Sequence, residues 1–152
     1  MLTKASQYAV RAVLFLAQNS RTGEKYKVKD IADKLDIPRP FIAKLLQRLA
    51  KAGIVSSVRG PQGGFYMTSE NMQNNMYSVL NELDNKSIFE KCFLGLPKCS
   101  DENPCPIHHI VAPFKEALLE KFRKQSIQEW IDNPEYSNNY LTIPKRPGLF
   151  SK

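Results

Sequence analysis

A mainly α fold with one small β-hairpin and a long C-terminal helix is predicted for this 152-residue chain. Three observations predict it. Apolar residues recur at helical spacing through most of the sequence. One stretch, "IVSSVRGPQGGFYMT" at 54–68, alternates apolar and polar residues around a glycine-rich tip. A further apolar stripe of helical period runs from Ile107 to Phe122.

The first helix spans Thr3 to about Asn19, with Ala9, Val10, Val13, Leu16 and Ala17 on one face and Thr3 as its cap. "RTGEK" at 21–25 is a turn. "YKVKDIADKLDI" at 26–37 reads as a short extended piece and then a helix over Ile31, Ala32 and Leu35. "IPRPF" at 37–41 ends that helix and opens the next, because proline suits a first helical turn and not an interior. The next helix buries Ile42, Leu45, Leu46 and Leu49 and stops near Gly53. Two short helices joined by a tight turn form a helix-turn-helix, and a hairpin placed directly after the second makes it a winged helix-turn-helix. Residues 1–70 form this unit.

Residues 71–132 carry a linker helix, a loop at 91–109 and the long helix. Met76, Val79, Leu80 and Leu83 mark the linker helix, from Asn75 to Asp84. Ile107, Ile110, Val111, Phe114, Leu118 and Phe122 mark the long one, interrupted by Pro113, where the helix is expected to bend or restart. This helix stands beyond a compact N-terminal unit, so it is expected to pair two copies in a homodimer, whose two-fold axis would match a palindromic operator. Residues 133–152, with Pro134, Pro144 and Pro147, read as a loosely ordered tail.

Charge separates the two halves. Residues 1–70 hold 12 Lys/Arg against 5 Asp/Glu, whereas residues 71–152 hold 10 of each. The whole net charge of +7 therefore sits on the winged-helix half, as expected of a part that meets a polyanion such as double-stranded DNA. The candidate contacts are Arg39, Lys44, Gln47 and Arg48 on the second helix and Arg59, Gln62 and Gly63 on the wing. Lysines and arginines on a helix supply phosphate and base contacts in a major groove, and a narrow wing with an arginine at its base fits a minor groove. No run of about 18 apolar residues exists, so no membrane span is expected, and the expected compartment is the cytoplasm, where thiols stay reduced. No phosphate loop, dinucleotide fingerprint or nucleophile motif points to an enzyme.

"KCFLGLPKCSDENPCPIHH" at 91–109 holds all three cysteines and both histidines of the chain. Its spacing is C-x6-C-x5-C-x2-H through Cys92, Cys99, Cys105 and His108. Thiolates bind iron–sulfur clusters and zinc, and imidazole can replace a thiolate in either. On spacing alone the two stand level. Lys91, Lys98, Asp101 and Glu102 make the loop too polar for a metal-free core.

"LTKASQYAVRAVLFLA", "IADKLDIPRPFIAKLLQRLAKAGIVSSVRGPQGGFYM" and the cysteine loop together resemble the Rrf-two family of bacterial transcription regulators, from Leu2 to about Trp130. "VSSVRGPQGGFYM" carries the most specific match, to a wing of the form S-x-R-G-x-x-G-G-[FY]. The resemblance implies a dimeric DNA-binding regulator with Arg59 in the minor groove and the helix from Arg39 in the major groove. It also implies an iron–sulfur cluster on the three cysteines, 2Fe–2S in IscR-like members and 4Fe–4S in NsrR-like members. IscR-like members take a histidine three residues after the third cysteine as fourth ligand, and His108 matches that place, with His109 second. NsrR-like members take an aspartate whose position is Gln7 here. This chain departs from the family at Pro38, Pro40 and Ala43 on the base-reading surface, and has six residues rather than five between Cys92 and Cys99. Cluster supply, oxidants or nitric oxide are the signals the resemblance implies.

Overall fold

The computed structural model describes residues 2–20, 23–83 and 89–135. Helix α1 (Lys4–Asn19) begins at Thr3, whose hydroxyl accepts the Ser6 N–H. It is the central strut of the fold, with Ala9, Ala12, Val13, Phe15, Leu16 and Ala17 all buried. Tyr26 is extended and exchanges two backbone hydrogen bonds with Phe65 across an antiparallel bridge, at 2.9 and 2.8 Å. The short extended piece expected from sequence is therefore a third, one-residue edge to the wing.

Helix α2 (Val28–Leu35) stops where Asp36 turns left-handed, at φ 55°. Helix α3 (Arg39–Lys51) starts after Pro38, whose carbonyl accepts the N–H groups of both Phe41 and Ile42. Pro40 sits in the first turn, where its missing N–H costs nothing. The α3 terminus is a paired closure: Ile54 N–H reaches the Leu49 carbonyl and Gly53 N–H the Ala50 carbonyl, with Gly53 at φ 77°. That closure turns the chain so that Ile54 and Val55 enter the core rather than the hairpin.

The wing is β1 (Ser56–Val58) against β2 (Gly64–Tyr66), antiparallel with Ser57 opposite Phe65. Its tip closes by the Gly63 N–H donating to the Gly60 carbonyl. Asn71 opens a short 3-10 turn (Asn71–Gln73) and ties the pieces together. Its amide donates to the Gly53 carbonyl, and its carbonyl oxygen accepts from the Ser56 hydroxyl and from the Thr68 N–H and hydroxyl.

Helix α4 (Met76–Leu83) follows, then the cysteine loop, α5 (His108–Lys124) and α6 (Ile127–Asp132). Leu16, Ile31, Leu35, Ile42, Leu46, Leu49, Val79 and Ile127 share one core. Leu80 and Phe89 form a smaller cluster with Leu118, Leu119 and Phe122, which seats the C-terminal half of α5. The α5 apolar stripe thus divides. Leu118 and Phe122 pack on their own chain, whereas Ile110 and Phe114 are 65% and 56% exposed.

Helix α5 runs unbroken through Pro113, so no restart occurs there. The break comes later, at Gln125–Ser126, where helical periodicity alone predicts none. Ser126 and Glu129 form a reciprocal capping box, and Ile127 N–H donates to the Asn74 carbonyl at 2.8 Å. These bonds stop α5 and turn α6 back into the main core. Asp84 and the tail beyond residue 135 lie outside the described residues.

Candidate nucleic-acid interface and cysteine site

A groove of about 680 Å³ lies between the C-terminal half of α3 and the wing. Gln47 and Lys51, one turn apart on α3, face Ser57 and Arg59 across it. Lys51 and Ser57 were not anticipated from sequence; the four-residue spacing from Gln47 was the signal for Lys51. Arg39 and Lys44 are exposed on α3 and lie outside this lining. Arg39 sits 3.5 Å from Asp33, and Arg48 turns to α4, 3.7 Å from Glu82. Gln62 is exposed at the wing tip. Gly63 is buried beneath the tip, where a Cβ would stand 2.1 Å from the Val58 carbonyl oxygen. Its missing side chain is what lets the turn close.

The cysteine loop folds back on itself at Gly95, whose φ of 81° and N–H bond to the Cys92 carbonyl make a tight turn. Cys99 N–H then donates to the Glu90 carbonyl, bringing the second cysteine back beside the first part of the loop. Cys92 is buried, Cys99 and Cys105 are half-buried, and all three are free thiols. Besides the Leu94 N–H, the Cys105 side chain favours the ionised form of the Cys92 thiol. Cys99 Sγ lies 3.4 Å from His108 Nδ1. His108 is buried at the first turn of α5 and His109 points to solvent. The other ring nitrogen of His108, Nε2, meets the Asp101 carboxylate at 2.7 Å, a partner not anticipated from sequence. Among the described residues, no three His, Cys, Asp or Glu side chains surround one point closely enough for a single metal ion.

The N–H of Leu94 holds the Cys92 thiol below its ordinary value, against the opposing effect of burial. The Leu96 N–H, the Cys105 side chain and the charge of Lys115 act in the same direction as Leu94. A thiol so placed gives up its proton readily, as a metal ligand must.

Helix-turn-helix, wing and basic groove define a winged-helix protein of the DNA-binding class. The Rrf2 family, described as "Iron-dependent Transcriptional regulator", matches residues 2–133, and the chain belongs to it. It is 34% identical over 131 residues to a provisionally named HTH-type transcriptional regulator of Aquifex aeolicus (strain VF5), covering 85% of this chain and 90% of that protein. It is 31% identical over 134 residues to the HTH-type transcriptional regulator IscR of Klebsiella pneumoniae (strain 342), covering 88% and 81%. Among solved structures, the fold resembles CymR, the global cysteine regulator of B. subtilis, with a TM-score of 0.65 at 17% identity over 86% of this chain and 95% of that one. These relatives are transcriptional regulators and not enzymes. No described helix is long and apolar enough to cross a membrane.

Proposed function

We propose that this transcriptional regulator acts as a cytoplasmic homodimer on a palindromic operator, with its affinity set by an iron–sulfur cluster on Cys92, Cys99, Cys105 and His108. The observation that carries the reading is the contact of Cys99 with His108 at the start of α5, in the loop that holds all three cysteines. Two donors on one tetrahedral metal, at the bond lengths typical of sulfur and imidazole ligands, stand about 3.6 Å apart. The Cys99–His108 separation of 3.4 Å suits such a pair. Among the described residues no three donors surround one point, as a single zinc ion would need, whereas three cysteines and a histidine would supply the four ligands of a two-iron cluster. The family description, which names iron, agrees with iron rather than zinc. The cluster supplies one-electron redox chemistry and reactivity toward oxidants when bound.

The chain's own residues do the rest. Asp101 orients the His108 ring so that Nδ1 faces Cys99. The N-terminus of a 17-residue helix favours the negative charge of thiolates gathered there. The exposed Ile110 and Phe114 lie on the same helix just beyond the donors, and form the dimer face. A change in ligation reaches that face within two turns and so alters the spacing of the two wings. Residues 1–70 are the DNA-reading unit, residues 71–132 the sensing and pairing unit, and residues 133–152 a tail outside both roles. Arg39, Lys44, Gln47, Arg59 and Gln62 form the DNA-contacting set, with Arg59 in the minor groove, while Arg48, turned to Glu82, and Gly63, buried beneath the tip, hold the helix and the wing in shape for it.

The test uses a duplex selected from random DNA by the anaerobically isolated protein. Arg59→Ala is expected to weaken binding to it about tenfold or more, and to make the affinity less sensitive to salt. Unchanged affinity would remove the wing from the interface.

A further inference from the structure

The wing has two faces, and the groove beside α3 borders only one of them. Tyr26, Phe65 and Ser57 stand opposite one another across the wing, so they share a face. That face turns inward. The Tyr26 ring packs edge-on against Phe15 of α1, with ring centroids 5.1 Å apart, while Phe65 and Ser57 line the groove. Side chains alternate along extended backbone, so Lys25 and Lys27 point to the opposite, outer face. The Lys25 ammonium stands 5.7 Å from the ring centroid of Tyr66, the neighbour of Phe65 on β2 and so a residue of that outer face. Both lysines are exposed. Among the described residues neither forms an ion pair, and the adjacent carboxylate, Glu24, accepts the Tyr26 hydroxyl at 2.6 Å.

The minor groove of DNA is about 6 Å wide and has a phosphate backbone on each side. A wing lying in it has one strand on its inner face, between the wing and α3, and the other strand against its outer face. Gln47, Lys51 and Ser57 line the inner space. We propose that Lys25 and Lys27 bind the phosphates of the second strand, so that the wing is held in the minor groove from both sides. This rests on the minor-groove placement of the wing given above. Phosphate contacts position a protein without reading sequence. The lysine pair therefore adds affinity and fixes the wing in register, and leaves the choice of operator to α3 and Arg59.

The test uses the duplex selected from random DNA and a derivative with one base pair changed, with affinities measured over a range of salt concentrations. Lys25→Gln with Lys27→Gln removes two charges from the outer face. Lys25→Arg with Lys27→Arg keeps them, and Lys121→Gln with Lys124→Gln removes two charges from α5. In the first variant both duplexes are expected to bind more weakly by the same factor, about fivefold or more. The slope of log affinity against log salt should become shallower by roughly two per bound chain. The arginine variant and the α5 variant are expected to match the parent. In ethylation interference, the phosphates that cease to matter in the first variant are expected on the strand opposite those lost in Lys51→Gln. An unchanged salt slope overturns the proposal. So does an equal change in the α5 variant, which assigns the effect to net charge alone, and so does loss of phosphates on the same strand as Lys51→Gln. Arg59→Ala separates the two readings. If it weakens binding and the lysine pair does not, the outer-face contact alone fails. If neither weakens binding, the minor-groove placement of the wing fails and the contact with it.

Discussion

Asn71 ties the end of α3 to both ends of the wing. It is buried, and its side chain serves the Gly53 carbonyl, the Ser56 hydroxyl and both polar groups of Thr68. Asn71→Ala leaves those groups short of partners and is expected to cost about 2–3 kcal/mol. By calorimetry that should appear as a Tm lowered by roughly 4–12 °C. Gly63 acts differently, through the space it leaves empty. Gly63→Ala forces a Cβ against the Val58 carbonyl, so the wing tip must reopen. Operator affinity is expected to drop by about tenfold, or ~1.4 kcal/mol, with helical circular dichroism unchanged. Tyr26 offers a pH readout. Burial, then the hydrogen bond and charge of Glu24, push its phenol up to about 12. A raised folded pKa means the neutral form is favoured in the fold. The resulting stability is fully present below the ordinary tyrosine value near 10 and is lost as pH climbs toward 12. Tyr26→Phe should flatten that alkaline loss in denaturant titrations run between those pH values.

Helix α6 is held by a cap and an anchor. Ser126→Ala removes the capping box and is expected to cost about 1 kcal/mol, and Ile127→Ala, at a fully buried position, roughly 2–5 kcal/mol. Urea unfolding measures both. This element also shows where sequence reading stops. Helices α1 to α3 were legible because each has a local start or stop: Thr3, the Pro38–Pro40 pair, Gly53. The wing was legible from its glycines and alternation. The α5–α6 break was hidden because helical periodicity continues across it, and only Ser126-x-x-Glu129 announces a new start. The Tyr26–Phe65 bridge joins residues far apart in sequence, so nothing local marks its partner. In the candidate site, the cysteines and His108 stood out by residue type and spacing. Asp101 and Lys115 did not, because a loop aspartate and a helical lysine ordinarily face water. What makes them notable is the fold-back of 91–105 over the start of α5, a non-local event. Arg48 illustrates the same limit in reverse, since its sequence places it on the reading helix while its side chain turns to Glu82.

At the scale of the whole molecule, the basic half carries the groove and the neutral half carries the cysteine site and the exposed stretch of α5. Ile110 and Phe114 are large apolar side chains left in water by a single chain. Ile110→Glu with Phe114→Glu should convert a dimer to a monomer in sedimentation equilibrium, and weaken binding to a palindromic duplex far more than to one half-site. A parent protein that sediments as a monomer at every concentration would remove α5 from the assembly. In the proposed mechanism the two halves act together: what happens at Cys92, Cys99 and Cys105 is felt at the DNA. It is tested most directly by measuring operator affinity of the anaerobically isolated protein and of its Cys92→Ala, Cys99→Ala, Cys105→Ala triple variant, with iron and sulfide determined on the same samples. Iron and sulfide are expected in the parent, neither in the variant, and affinities that differ by about tenfold or more. Equal affinities, with the parent carrying its cluster, would contradict it.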